Sequence, residues 1–195
     1  MESESGHCEK GSGMRHEGVN DEALAGYCGL YCGFCAKFQS VAPSRCPGCH
    51  SEEVGSYCSI WRCATRKKGV ESCSDCEEFP DCEVFTRRKV MEWPTAGENL
   101  ETIVRDGLRV WTEAQKRRRL VLEGLLDDYN EGRSMAFYCR AVSRMPIGLI
   151  EEAVRDVEER IASGDVDRED VKQKAKAMKA GLTETATTRG ISLDK

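Results

Sequence analysis

The stretch Cys28-x3-Cys32-x2-Cys35-x10-Cys46-x2-Cys49-x8-Cys58-x4-Cys63-x9-Cys73-x2-Cys76-x5-Cys82 decides how this chain is read. It places ten of the twelve cysteines in about one third of 195 residues. A Cys-x-x-Cys turn points two thiolates at one ion while the intervening backbone N–H groups can face the sulfurs, and two such turns complete a tetrahedral site. All ten residues, Cys28, Cys32, Cys35, Cys46, Cys49, Cys58, Cys63, Cys73, Cys76 and Cys82, are therefore candidate metal ligands, with zinc, as two ions, the expected metal. Several groupings satisfy four-coordination. One joins Cys32, Cys35, Cys46 and Cys49, and then Cys58, Cys63, Cys73 and Cys76, leaving Cys28 and Cys82 over. An interleaved one brings Cys46 and Cys49 to Cys73 and Cys76, and spacing does not choose between them.

The residues around the thiols support the same reading. Between residues 25 and 90 the only Leu, Ile, Val or Met residues are Leu30, Val41, Val54, Ile60, Val70, Val84 and Val90, whereas eight aromatics fall there. A segment so short and so poor in aliphatics needs a metal or disulfide staple to fold. A four-thiolate zinc site carries a local charge of -2, which Arg45, Arg62, Arg66, Lys67 and Lys68 would screen. His50, next to Cys49, reads as an exposed turn histidine.

Three pieces of wording carry a resemblance: Tyr27-Cys-Gly-Leu-Tyr-Cys-Gly-Phe-Cys35, then Cys46-Pro-Gly-Cys49, then Cys63 with Cys73-Ser-Asp-Cys-Glu-Glu-Phe-Pro80. In this order they resemble an uncharacterised prokaryotic family, domain of unknown function 3795, which is regarded as zinc-binding. The likeness covers roughly residues 25–90; it implies metal binding and supplies no reaction. Family members tend to place a cysteine directly after the proline, whereas here Asp81 intervenes, which sets Cys82 apart from the pattern.

Other chemistries fit less of the sequence. Cys28, Cys32 and Cys35 have the spacing of a radical S-adenosylmethionine cluster loop, but no alternation of strand and helix follows to build the barrel such enzymes use. An iron–sulfur cluster protein, acting as electron carrier or accessory factor, is the stronger alternative, because thiolate-rich sites accept either cofactor. Thiol redox exchange would need a thioredoxin-like context that is missing. Cys139 stands alone and reads as a buried thiol on a helix. No paired catalytic carboxylate, nucleophile motif or phosphate-cradling loop stands out, so the sequence favours a binding role and leaves enzymatic activity undecided.

With 29 Lys+Arg against 34 Asp+Glu, a net charge of -5 and a mean hydropathy of -0.54, nothing demands nucleic acid, and Lys116-Arg117-Arg118-Arg119 reads as a solvated helical face. Without an apolar leader or membrane span the expected compartment is the cytoplasm, where thiols stay reduced. The expected partners are proteins.

The expected organisation is a disordered acidic tail at 1–24, a cysteine-rich metal-binding module at 25–90, and a helical region at 91–195 whose last dozen residues fray. His7, Cys8 and His16 lie in the tail. The fold class is mainly α or α+β: a small, loop-rich cysteine metal module with short strands or turns, followed by four or five helices. Leu100, Ile103, Val104, Leu108 and Trp111 form one amphipathic face, and a second apolar set runs from Leu120 to Tyr129. Further helices are expected at Met135–Arg144, from Pro146 to Gly164, and after Asp167 as N-cap with Asp170 in the capping-box position.

Overall fold

The computed structural model of the chain describes His16 and residues 18–194. The protein is mainly helical. The expected short strands are not formed among the described residues; the one β pairing there is an isolated antiparallel bridge between Ala25 and Tyr31. The physical reason is that the backbone between the cysteines is spent on tight turns, with 3-10 turns at Cys32–Phe34 and Cys73–Asp75. No helix among the described residues is long and apolar enough to cross a membrane.

Four short helices punctuate the cysteine-rich part: α1 (Ala36–Gln39), α2 (Glu52–Gly55), α3 (Ser59–Arg62) and α4 (Glu83–Arg88). α3 continues into a π-helical turn over Cys63–Lys68, which Gly69 ends at φ +64°. Five longer helices follow: α5 (Ala96–Asp106), α6 (Leu108–Asp128), α7 (Met135–Arg144), α8 (Ile147–Ala162) and α9 (Val171–Thr188).

α7 and α8 lie where the apolar periodicity predicts. The apolar face expected to run unbroken from Leu100 to Trp111 is instead cut at Gly107, whose φ of +86° and ψ of 150° are not helical. The chain changes direction there, and Leu108 to Asp128 form one long helix. Asp170, not Asp167, is the N-cap of α9: its carboxylate accepts from the N–H groups of Lys172 and Gln173, while Asp167 holds the preceding turn through Glu169 N–H.

Three apolar cores result among the described residues. The largest lies among α6–α9, with Leu122, Leu126, Tyr138, Val142, Met145, Ile150, Met178 and Leu182 buried within it. A second joins Leu24, Tyr31 and Phe38 to Ile103 of α5 and Trp111 of α6. A third joins Ile60 and Phe85 of the cysteine-rich part to Val90 and to Ala96 and Leu100 of α5. The boundary expected at residue 90 thus runs through a core: the aliphatic side chains missing from the cysteine segment are supplied by α5.

Both expected ends differ from the structure. The tail expected to be disordered over 1–24 falls outside the described residues at 1–15 and 17, together with His7 and Cys8. His16 and residues 18–24, however, are packed, because Asp21 pairs with Arg119 and Leu24 enters the second core. At the other end α9 continues to Thr188, and residues 191–194 form a strap. Ile191 and Leu193 pack on the largest core, and Arg140 and Arg144 donate to the carbonyls of Ser192, Leu193 and Asp194.

Candidate metal centre

The ten candidate cysteines do not scatter. Cys32, Cys35, Cys46 and Cys49 all line one cavity, and Cys63, Cys73, Cys76 and Cys82 all line another, much smaller and mostly apolar. In the first set, Cys32 opens a 3-10 turn that brings Cys35 back beside it, and Cys49 N–H donates to Cys32 Sγ at 3.3 Å. Gly48, at φ +102°, allows Cys46-Pro-Gly-Cys49 to turn tightly enough for both thiols to face the same cavity. Hydrogen bonding from the Cys32 thiol draws Cys49 down to about 7 against the effect of burial, and the same contact together with burial keeps the Cys32 proton in place.

Behind this set lies a buried polar brace. Gln39, fully buried, donates from Nε2 to the Gly33 carbonyl at 2.7 Å, which fixes the Cys32–Cys35 turn. Its Oε1 lies 3.2 Å from His16 Nε2, and Arg45 Nη1 lies 2.8 Å from His16 Nδ1. Because arginine can only donate, the pattern assigns the proton of neutral His16 to Nε2. Burial lowers its pKa in agreement. Both ring nitrogens are engaged, so the His16 of the expected tail is a brace and not a free ligand.

The second set is built on helix ends. Cys73 and Cys76 bracket a 3-10 turn closed by a capping box, in which Ser72 Oγ accepts Ser74 N–H and Asp75 accepts Ser72 N–H. Cys63 begins the π-helical turn, and Cys82 caps α4, its sulfur accepting Phe85 N–H at 3.4 Å. Ile60, Phe79 and Phe85 enclose the sulfurs. Burial pushes Cys73 up to about 12, and the charges that add to the shift belong to Cys28, Cys82, Cys63 and Cys76. This grouping is neither of the two that spacing allows: the sequential one puts Cys58 here and leaves Cys82 over, and the interleaved one joins Cys46 and Cys49 to Cys73 and Cys76. Cys58 is the N-cap of α3 and Cys63 lies five residues on, so the two point about 140° apart around the helix.

Cys28 lines neither cavity and packs against the third core; burial raises it to about 11, and the charges of Cys49 and Cys58 add to the shift. Cys58 Sγ lies 3.9 Å from Arg88 Nη2. His50 is exposed, stacks on Tyr27 with ring centroids 4.6 Å apart, and donates from Nε2 to the Ala25 carbonyl at 2.7 Å. Cys139 is buried on α7, and burial pushes its thiol up to about 12, in keeping with an inert packing role. Among the described residues no three Cys, His, Asp or Glu side chains already converge tightly enough to hold an ion. The donor chemistry nonetheless fits one: four soft sulfurs at each cavity suit zinc or an iron–sulfur cluster, and hard cations far less.

The cavity at the first set has a volume of about 490 Å³ and lies between the cysteine turns and the bundle, whose wall is formed by Gln115 and Arg118 of α6 with Ser143–Pro146. The basic run 116–119 was expected to be solvated throughout; at roughly 100° per residue it instead winds around α6. Lys116 is exposed, Arg117 pairs with Glu151 at 2.7 Å, Arg118 reaches the cavity and Arg119 is buried against Asp21 and Glu123. Nothing in the run's composition distinguishes these fates, which depend on what faces each quadrant of the helix. Compared against protein families, curated proteins and solved structures, the chain matches none of them.

Proposed function

We propose that this protein binds zinc in two four-cysteine sites, Cys32/Cys35/Cys46/Cys49 and Cys63/Cys73/Cys76/Cys82, and serves as a binding or scaffolding protein for protein partners. The observation that supports this reading most is the division of eight thiols, four and four, between two cavities. In each site the thiols turn inward on the ion, which replaces their protons and closes the coordination sphere. A closed site has no open position for substrate, so the metal supplies folding free energy and no Lewis-acid chemistry. That role suits a segment whose own aliphatic core is small.

A second reading, an iron–sulfur cluster protein acting as electron carrier or accessory factor, is favoured by Cys28. Cys28 lines neither cavity and is left over as a further thiolate donor, which, with Cys32 and Cys35, keeps the three-cysteine spacing that an iron–sulfur cluster can use. The experiment that separates the readings is zinc, iron and sulfide analysis, with a visible spectrum, on the full chain purified without oxygen or added metal. Two zinc per chain and no colour is the expected result. Iron with sulfide and broad visible absorption would overturn the zinc assignment and make redox chemistry the leading reading.

A further inference from the structure

Arg118 and Arg119 are chain neighbours in opposite circumstances. Arg119 is paired on two sides, by Asp21 and by Glu123. Arg118 is buried enough that desolvation lowers its pKa, yet no carboxylate pairs with it among the described residues, and its Nε is buried without a hydrogen-bond partner. Its Nη2 donates to the carbonyls of Val142 and, at 2.9 Å, Met145, at the C-terminal end of α7. These carbonyls carry only the partial charge of a helix C-terminus, which does not neutralise a full cation.

That cation lines the cavity of about 490 Å³, a volume suited to a small molecule. The guanidinium carbon lies 5.6 Å from the centre of the Phe34 ring, and Tyr31, Phe38 and Met145 form other parts of the wall. Arg144, also on the wall, already donates to the backbone carbonyls of Ser192 and Asp194. Glu98, the wall's one carboxylate residue, is exposed.

We propose that this cavity binds a small carboxylate with an apolar body, the carboxylate paired with Arg118 and the body against Phe34 and the neighbouring apolar wall. What sets Arg118 apart from Arg144, which also donates only to backbone carbonyls, is its buried Nε without a partner, and that one guanidinium suits a single carboxylate. A phosphate dianion would call for further charged donors. The carboxylate site shares its cavity with Cys32, Cys35, Cys46 and Cys49, so it requires that these thiols, metal-bound or free, leave Arg118 unpaired.

The test is a nitrogen-15 NMR titration of the full chain, carrying whatever metal it purifies with, using benzoate, benzamide and inorganic phosphate as probes. Benzoate is expected to shift the side-chain amide signals of Asn99 and Gln115, both on the cavity wall, in a saturable way, and benzamide to bind at least tenfold more weakly. Arg118→Gln should abolish benzoate binding. Gln115→Trp, which obstructs the cavity and leaves the carbonyl contacts of Arg118 alone, should abolish it too, read at Asn99. Should Arg118→Gln fail to fold, Gln115→Trp and the benzamide comparison decide. Equal binding of benzoate and benzamide, phosphate binding tighter than benzoate, or no saturable benzoate shift would overturn the proposal; the last would mean that the cysteine thiolates themselves are the counter-charge of Arg118.

Discussion

Asp21 and Arg119, 98 positions apart in the chain, form a two-pronged ion pair, with Nε–Oδ1 at 2.8 Å and Nη2–Oδ2 at 3.3 Å. Their side chains are only 9% and 4% exposed. Tyr31 donates to the same Asp21 oxygen, so one carboxylate ties the N-terminal segment, the first cysteine turn and α6 together. Asp21→Ala leaves buried donors of Arg119 and Tyr31 without acceptors and should cost about 2–4 kcal/mol. Urea denaturation measures it, and a loss within about 0.5 kcal/mol, the range of ordinary surface changes, would mean that water replaces the pair at no cost.

The same pair predicts a pH dependence. Burial by itself would raise the Asp21 pKa, but hydrogen bonds from Arg119 and Tyr31 outweigh it and hold the carboxyl below its ordinary value. A depressed carboxyl contributes stability that is fully present above the unfolded pKa of about 3.9 and is lost as pH falls through the lower folded value. The stability difference between wild type and Asp21→Asn should therefore be constant above about pH 5 and shrink below about pH 4. A difference that stays flat through acid pH contradicts the pair's role.

The grouping of the thiols makes a stoichiometric prediction. Cys82 lines the cavity of the second set and Cys58 does not. Cys82→Ser should lower bound zinc from two ions to one or destabilise the second site to the point of unfolding. Cys58→Ser should retain both ions and lose only its contact with Arg88. The reverse pattern, with Cys58 needed and Cys82 dispensable, would restore the sequential grouping, one of those that spacing allows.

Gly29 tests the junction between the cysteine turns and α5. Its φ is +82°, and a Cβ there would meet the Ala96 carbonyl oxygen at 2.6 Å and Leu100 Cγ at 2.7 Å. Its own carbonyl accepts from Asn99 Nδ2 at 2.7 Å. Gly29→Ala combines an unfavourable backbone angle with overpacking against backbone and should destabilise by about 2–4 kcal/mol. A thermal or urea midpoint equal to wild type would show that α5 can retreat from the turn.

What the sequence reveals and conceals follows one physical line. α7 and α8 were legible because their apolar residues repeat at helical spacing and Pro146 separates them. The joining of Leu108–Asp128 into one helix was not, because the polar, basic stretch from Glu113 to Arg119 reads as a gap in the apolar pattern, while its one buried member is an arginine, Arg119. The cysteine positions named candidate ligands, but their assortment depends on helix geometry: Cys63 lies five positions after Cys58 along a helix, on another side of it, whereas the loop through Phe79-Pro80 carries Cys82 back to Cys73 and Cys76. Arg118 and Arg119 are alike in sequence and are told apart only by what their two quadrants of α6 meet.

The direction change at Gly107 has a consequence for how the molecule comes apart. α5 lends Leu100 and Ala96 to one core and Ile103 to another, and the second of these is completed by Trp111 beyond the break. Neither half therefore owns all the side chains it rests on, and cutting the chain at residue 90 would strand apolar surface on both pieces. Such sharing makes for cooperativity: the two halves should melt in a single transition, and a loosening that starts among the cysteine turns should be felt as faster amide exchange in the helices.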